Sequence, residues 1–323
     1  MRQRPVVVLS ERIGPLTEWE RGIAERVPCR VECRPLHDHE QIAANAADAE
    51  VVILGAVEPF DERAFASMPA LRLVARRGIG LDNVDLAAAA RHHVMVTCVP
   101  DASVAEVADH ALAMLVGLHR RVPAAHRGMV RGRRDLARAA VDRAVPLAEA
   151  TLGVVGAGRI GARLVTAAGG VFGRVLVADP YLDEVAGAEL VPLSRLLGDA
   201  DAISLHAPLT GQTRGLLDTE RLLLIRPGAV VVNTARAGLI DEAALADAVR
   251  RGQVGGVGLD VSSDEQRWRQ LIGEGFDNIL LTGHTGARGV RSQQRLRRTC
   301  AGQVTDYLSG RMPAHVVDQR EQS

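Results

Sequence analysis

The chain contains no lysine; all 39 of its basic residues are arginine. That excludes Schiff-base chemistry on an ε-amine and the phosphate-gripping lysine of a P-loop. Arginine must then serve every routine surface role, so arginine runs mark no ligand by themselves. Aromatic residues make up only 2% of the 323 positions, too few for the stacking platforms of a single-strand nucleic-acid binder. Neither sign of charge is in excess, with 39 acidic against 39 basic residues, so no bulk field draws nucleic acid or an anionic membrane. No apolar run approaches the ~20 residues of a membrane-spanning helix. The short apolar run at 6–9 reads as a first strand rather than a signal peptide. The four cysteines, Cys29, Cys33, Cys98 and Cys300, read as reduced thiols of a cytoplasmic protein. Cys29, Cys33, His37 and His39 fall close together, but Pro28 and Pro35 interrupt them and no zinc spacing is met, so no metal is expected.

What is present is dense in β/α alternation. Apolar runs at 6–9, 51–54, 71–75 and 94–97 have the character of buried parallel strands and make a small α/β unit. A long helix is expected over 103–119 from the stripe Val104, Val107, Ala108, Ala111, Leu112, Leu115, Val116. The arginine- and alanine-rich stretch 120–143 reads as solvated surface or a subunit contact. Strand candidates at 202–205, 229–232, 255–259 and 279–281 then alternate with helical stretches, notably 241–251. The helical tail 291–308 is expected to return to the first unit. The fold class is α/β with two doubly wound parallel-sheet domains: a Rossmann-type nucleotide domain over 101–289 and a smaller, flavodoxin-like substrate domain over 1–100 and 290–323.

The segment 152–179 carries the most chemistry. An apolar run ends in Gly156-Ala157-Gly158-Arg159-Ile160-Gly161, a helical stretch follows, and a second apolar run closes on Asp179. Gly156 suits the tight turn, Gly158 lets backbone approach a pyrophosphate, and Gly161 lets helix pack on strand. Arg159 and Ile160 open the helix whose N-terminus faces the pyrophosphate. Asp179 stands where a ribose-binding acid belongs; it accepts from a 2′-hydroxyl and repels a 2′-phosphate, which favours NAD over NADP.

Four later strand ends are polar: Ser204–Pro208, 232–236, 258–265 and 281–284. With 76–85 (RRGIGLDNVD), 104–112 (VAEVADHAL), the glycine turn, HAPLT from His206, NTARAGLID from Asn233, GLDV from Gly258 and DNILLTGH from Asp277, the chain resembles the D-isomer-specific 2-hydroxyacid dehydrogenase family over nearly its whole length. The resemblance implies hydride transfer between NAD and C2 of a small 2-oxo acid or D-2-hydroxy acid, by a homodimer without membrane or nucleic-acid partners. It implies Arg236 as the arginine that holds the substrate carboxylate and polarises the 2-oxo group, His284 as the acid–base and Glu265 as the carboxylate paired with it. Those residue types suit the chemistry, because guanidinium engages carboxylate bidentately and imidazole exchanges a proton near neutrality. The resemblance also implies cofactor contacts from Val104, His206, Pro208, Thr234, Ala235, Asp260 and Gly286, Asp260 accepting from the carboxamide unless it caps a turn instead. Backbone N–H groups of Ile79 and Gly80 would receive the substrate carboxylate, with Arg76 nearby. Arg77 and Arg288 are candidates for a second anionic group on the substrate.

The chain departs from the family pattern at several positions. Gln266 and Gly283 stand where the family usually has proline, which implies a looser acid loop and a less rigid histidine strand. Gly55 stands where long phosphoglycerate dehydrogenases place a second phosphate-binding arginine. Ala287 stands where the related carboxy-terminal-binding-protein corepressors carry tryptophan. An NAD(H)-sensing interaction protein of the corepressor type, and phosphite or phosphoglycerate oxidation, are the alternative readings.

Overall fold

A computed structural model describes residues 4–142 and 144–318, and the chain divides into two compact units. Unit 1 comprises 1–103 and 289–323; unit 2 comprises 104–288.

Unit 1 is built on a five-stranded parallel sheet. Its strands are β1 (Val6–Ser10), β2 (Arg30–Arg34), β3 (Val51–Leu54), β4 (Leu73–Arg76) and β5 (Met95–Thr97), with helices α1 (Glu18–Arg26), α2 (His39–Ala46), α3 (Glu62–Ala66) and α4 (Leu86–Arg91) between them. The spatial order β2-β1-β3-β4-β5 is the flavodoxin-like order. Strands β1, β3 and β4 are buried along their whole length, as valine- and leucine-rich runs covered on both faces must be. Strand β2 escapes a reading by apolar runs because it is an edge strand, RVECR, with mixed exposure. The same strand disperses the cysteine–histidine cluster: Cys29 is buried, Cys33 directs its thiol to the Gly14 carbonyl, His37 pairs with Glu11 and His39 with Asp61. Among the described residues no group of side chains is arranged to hold a metal ion.

Unit 2 opens with α5 (Val104–His119), then α6 (Val122–Val130) and α7 (Arg134–Val141), two helices in the stretch expected as solvated surface or a subunit contact. The sheet follows: β6 (Thr151–Val155), α8 (Arg159–Ala168), β7 (Arg174–Ala178), β8 (Glu189–Leu190), α9 (Leu193–Asp199), β9 (Ala202–Leu205), α10 (Thr219–Leu224), β10 (Ala229–Asn233), α11 (Glu242–Arg250), β11 (Val254–Leu259), α12 (Glu265–Gly273) and β12 (Ile279–Leu281). Its order, β12-β11-β10-β9-β6-β7-β8, reverses direction between β6 and β9, which makes the crevice there the expected ligand position. The last helix, α13 (Val290–Leu308), belongs to unit 1, packing Cys300, Ala301 and Val304 against β1, β3 and β4.

One buried acid organises the α11–α12 region. Glu242, 6% exposed, accepts from Ser262 Oγ at 2.6 Å, Ser263 N at 2.7 Å, Ser263 Oγ at 3.0 Å and Trp268 Nε1 at 2.7 Å. It thereby ties the loop after β11 and the fully buried Trp268 to the start of α11. In sequence Glu242 is indistinguishable from any first-turn helix acid, and nothing in the residue pattern singles it out. We expect Glu242→Ala to leave four donors without their acceptor and to lower unfolding stability by about 3 kcal/mol, measured by urea denaturation. A change within about 0.5 kcal/mol, the range of ordinary surface substitutions, would mean the loop holds without this acid.

Candidate nucleotide and acid–base site

The register of the unit 2 sheet brings the polar segments together. Val155 pairs with Leu205, Leu205 with Asn233, Asn233 with Leu259, and Leu259 with Leu281. On the other side Val155 pairs with Ala178. Five neighbouring strands therefore end flush, and Gly156, His206, Thr234, Asp260 and Thr282 leave the sheet side by side at its carboxyl edge, with Asp179 beside Gly156.

Two of the three glycines of the turn are required by close approaches within the protein, and the third faces open space. Gly156 has φ +86, and a Cβ on it would stand 2.8 Å from the Ala207 nitrogen. A Cβ on Gly161 would meet the Gly156 carbonyl oxygen at 2.0 Å. Gly158 is exposed, with nothing within 4 Å of where its Cβ would be; as the N-cap of α8 it has no side chain to occupy the first-turn N–H groups. The helix dipole and an uncapped first turn suit an anion there. Arg159 and Ile160 form the first turn, Arg159 exposed and Ile160 against the core. Asp179 closes the turn from the next strand: Oδ2 accepts from Ala157 N at 2.9 Å and Oδ1 from Tyr181 N at 3.0 Å. Each oxygen keeps lone-pair capacity for a ribose hydroxyl. Thr234, 8% exposed at the end of β10, has a buried Oγ1 with no hydrogen-bond partner among the described residues. An open glycine, an uncapped helix start, an acid at the next strand tip and an orphaned hydroxyl together fit a dinucleotide.

His206 follows β9 and is partly buried, its Nε2 2.9 Å from the Ser204 hydroxyl. Burial disfavours the imidazolium and pushes its pKa down to about 4, so the ring is neutral at physiological pH. Pro208 is exposed, and its carbonyl accepts from Thr213. Asn233 shapes the arginine turn: Oδ1 accepts from Ala235 N at 3.0 Å and Nδ2 donates to the Arg236 carbonyl at 2.8 Å. Arg236 itself donates to the Ala235 carbonyl at 2.8 Å. Val104 is the first residue of α5.

Asp260 is 3% exposed and its carboxylate is taken up within the protein, accepting from Thr282 Oγ1 at 2.5 Å, Thr285 N at 2.8 Å and Gly286 N at 3.0 Å. Of the two readings of this acid, the turn cap is the one the geometry displays, and Gly286 is buried against it. The histidine that follows is not loosened by the glycine before it. Gly283 and His284 have φ +60 and +59, a left-handed pair that proline at 283 would forbid, and the Asp260 carbonyl holds the His284 N–H at 2.5 Å. Holding a non-glycine residue there costs roughly 1–2 kcal/mol, so the turn persists because its neighbours impose it.

The expected carboxylate partner of His284 stands elsewhere. Glu265 begins α12, more than half exposed, and its carboxylate bridges to Arg269 one turn on at 2.9 Å. Among the described residues the His284 ring makes no ion pair or hydrogen bond. The surface i,i+4 pair is worth only about 0.3–0.5 kcal/mol, too little to hold Glu265 against a better partner.

In unit 1, Arg76 is buried with its guanidinium over Gly78, and Ile79 and Gly80 lie in the turn after β4. Arg77 is partly buried among Arg297, Glu20, Cys300 and Arg76. Loss of solvent, then repulsion from Arg297, pulls its pKa down to about 10, still cationic at neutrality. Arg288 of unit 2 is exposed.

Residues 112–286 match the family model described as D-isomer specific 2-hydroxyacid dehydrogenase, NAD binding domain. The D-3-phosphoglycerate dehydrogenase of Mycobacterium bovis is 36% identical over 319 residues, 97% of this chain; the chain spans 59% of that relative's length. A glyoxylate reductase of Korarchaeum cryptofilum is 31% identical over 86% of this chain and 85% of its own length. Among solved structures, the TT0316 protein of Thermus thermophilus superposes with a TM-score of 0.85 at 28% identity, covering 97% of this chain and all of its own.

The last two glycines of the turn separate folding from binding. Gly161→Ala drives a methyl into the Gly156 carbonyl, and we expect loss of both thermal stability and NADH binding. Gly158→Ala meets open space in the protein alone, so its Tm should stay within about 2 °C of wild type while NADH affinity falls by about tenfold or more, as read by nucleotide fluorescence. Unchanged NADH affinity in Gly158→Ala would remove the pyrophosphate from this turn.

Proposed function

Because this chain belongs to the D-isomer-specific 2-hydroxyacid dehydrogenase family, we propose that it interconverts a small 2-oxo acid and its D-2-hydroxy acid with NAD as the redox partner. The observation that carries this reading is the flush carboxyl edge of the unit 2 sheet, where the glycine turn, Thr234, Arg236, Asp260 and His284 emerge from neighbouring strands.

The glycine turn, the start of α8, Asp179 and Thr234 would hold the coenzyme, which when bound would supply or accept hydride at nicotinamide C4. Arg236 grips the substrate carboxylate and draws charge onto the 2-oxo oxygen, as a planar guanidinium is suited to do. His284 delivers a proton to that oxygen in reduction and removes it in oxidation. Glu265 releases Arg269 to sit behind the imidazole and favour its charged form. Within unit 1, the backbone N–H groups of Ile79 and Gly80, with the buried Arg76 close by in sequence, are suited to a carboxylate. Arg77 in unit 1, set among Arg297, Glu20, Cys300 and Arg76, and Arg288 in unit 2 are each a candidate for a second anionic group on the substrate.

The decisive measurement is NADH oxidation over 2-oxo acids of graded length and charge. We expect turnover, highest with dianionic members, and at least about 100-fold loss of kcat/KM in His284→Ala and in Arg236→Ala. Absence of turnover with every acid overturns the activity, and near-native kcat/KM in either variant overturns that residue's role.

Self-association is a second element of the proposal. Val122, Met129, Val130, Leu136 and Val145 are 56%, 49%, 72%, 46% and 44% exposed, all on or beside α6 and α7. They adjoin a cavity of about 920 Å³ at the amino ends of β9–β12, lined in part by Leu118, Ala124, Ala140, Val249 and Phe276. Apolar exposure on this scale, next to a groove, suits a homodimer. Free thiols at all four cysteines suit a reducing, cytoplasmic setting. Light scattering on the eluting protein should give twice the chain mass, and Met129→Asp/Val130→Asp should give a monomer; a monomeric wild type would exclude the dimer.

A further inference from the structure

His110 stands on α5, whose face Ala108, Ala111, Met114 and Leu115 is locked in the unit 2 core. Its Nε2 lies 3.0 Å from Thr282 Oγ1 and 3.6 Å from Asp260 Oδ1. The protons in this group are determined by counting. Thr282 has one hydroxyl hydrogen, and the 2.5 Å contact spends it on the Asp260 carboxylate, which can only accept. The Thr282 oxygen must then accept from His110, which places a proton on Nε2. The result is a directed chain, His110 N–H to Thr282 O–H to Asp260.

Asp260 in turn holds the whole turn that bears His284. Its carboxylate takes Thr282 O–H, Thr285 N–H and Gly286 N–H, and its carbonyl takes His284 N–H. The turn is left-handed at two successive residues and relaxes unless held. Glycine at 286 is what allows the approach: a Cβ there would stand 2.9 Å from Asp260 Oδ2 and 3.2 Å from His110 Cδ2. Without the His110 donor the Thr282 oxygen keeps its bond to Asp260 but is held from one side only, so the Thr282 side chain and the carboxylate it serves are less firmly placed.

We propose that His110 is a positioning residue for the acid–base step, aiming the His284 turn through Thr282 and Asp260 without touching the substrate. The inference rests on the reading of His284 as the acid–base.

The test compares His110→Leu, which removes the donor, with His110→Gln, whose amide N–H reaches the place of Nε2. In His110→Leu we expect kcat to fall by about 10- to 100-fold, the effect of a small displacement of a reacting group, with NADH affinity in fluorescence changed by less than about twofold. The solvent deuterium isotope effect on kcat should rise as proton transfer becomes limiting. His110→Gln should recover kcat to within about threefold of wild type. Thr282→Val should match His110→Leu, and the double variant should be no slower than either single one, because both break one chain. Wild-type kcat in His110→Leu, equal damage in Leu and Gln, or losses that multiply in the double variant would each overturn the proposal. Loss of the His284 role itself is told apart by His284→Ala: if that variant is active, the underlying reading fails, whereas an inactive His284→Ala beside a fully active His110→Leu sinks only the inference about His110.

Discussion

In-register parallel pairing from β7 to β12 is the constraint on which the site depends. Strands of three to six residues hold little chemistry of their own, being valine, leucine, isoleucine, alanine and glycine through most of their buried length. Because they end level, segments scattered from residue 156 to residue 286 arrive in one row. A slip of one residue in any strand would turn its tip to the other face of the sheet and remove its loop from the row. The apolar ladder and the polar edge are thus one feature, and core packing in unit 2 is part of the positioning of the loops.

Much of this was legible in the residues. Continuous apolar runs marked the buried strands, and the glycine turn with its distal acid marked the nucleotide end of unit 2, because both signals are local. The edge strand β2 was not legible, since an edge presents mixed polarity and offers no run. Nor was the two-residue β8, too short for any pattern. The helices α6 and α7 hid in an arginine-rich stretch whose composition suits surface and helix alike. Glu242, His110 and Thr282 were missed for a different reason: their importance lies in contacts to residues 20 to 172 positions away, and their types are ordinary where they stand. The substitution of glycine for proline at 283 shows the limit most plainly. Read alone, it signals looseness; in the folded chain it permits a turn that Asp260 then fastens.

Asp179 and Asp260 carry the same lesson. Each sits one residue beyond a strand; Asp179 was read by what it would offer a ligand, and Asp260 either so or as a turn cap. Each also bonds backbone N–H groups of its own loop or a neighbouring one, so these acids first build the turn and then present what capacity remains. A carboxylate with about four acceptor positions can do both. Replacing such an acid therefore removes a scaffold together with a contact, and the conservative amide separates the two only in part.

The strands of unit 2 are also a spacer. In β9, β10 and β11, four to six residues at about 3.3 Å each hold the amino-end groove some 13–20 Å from the row of polar loops. Substitutions that reshape the groove act on backbone that is already paired and capped before it reaches the far edge. The two ends of the sheet are consequently separable: under the function proposed above, a substitution in the groove leaves the loop edge as it is, and one in the loops leaves the groove unchanged.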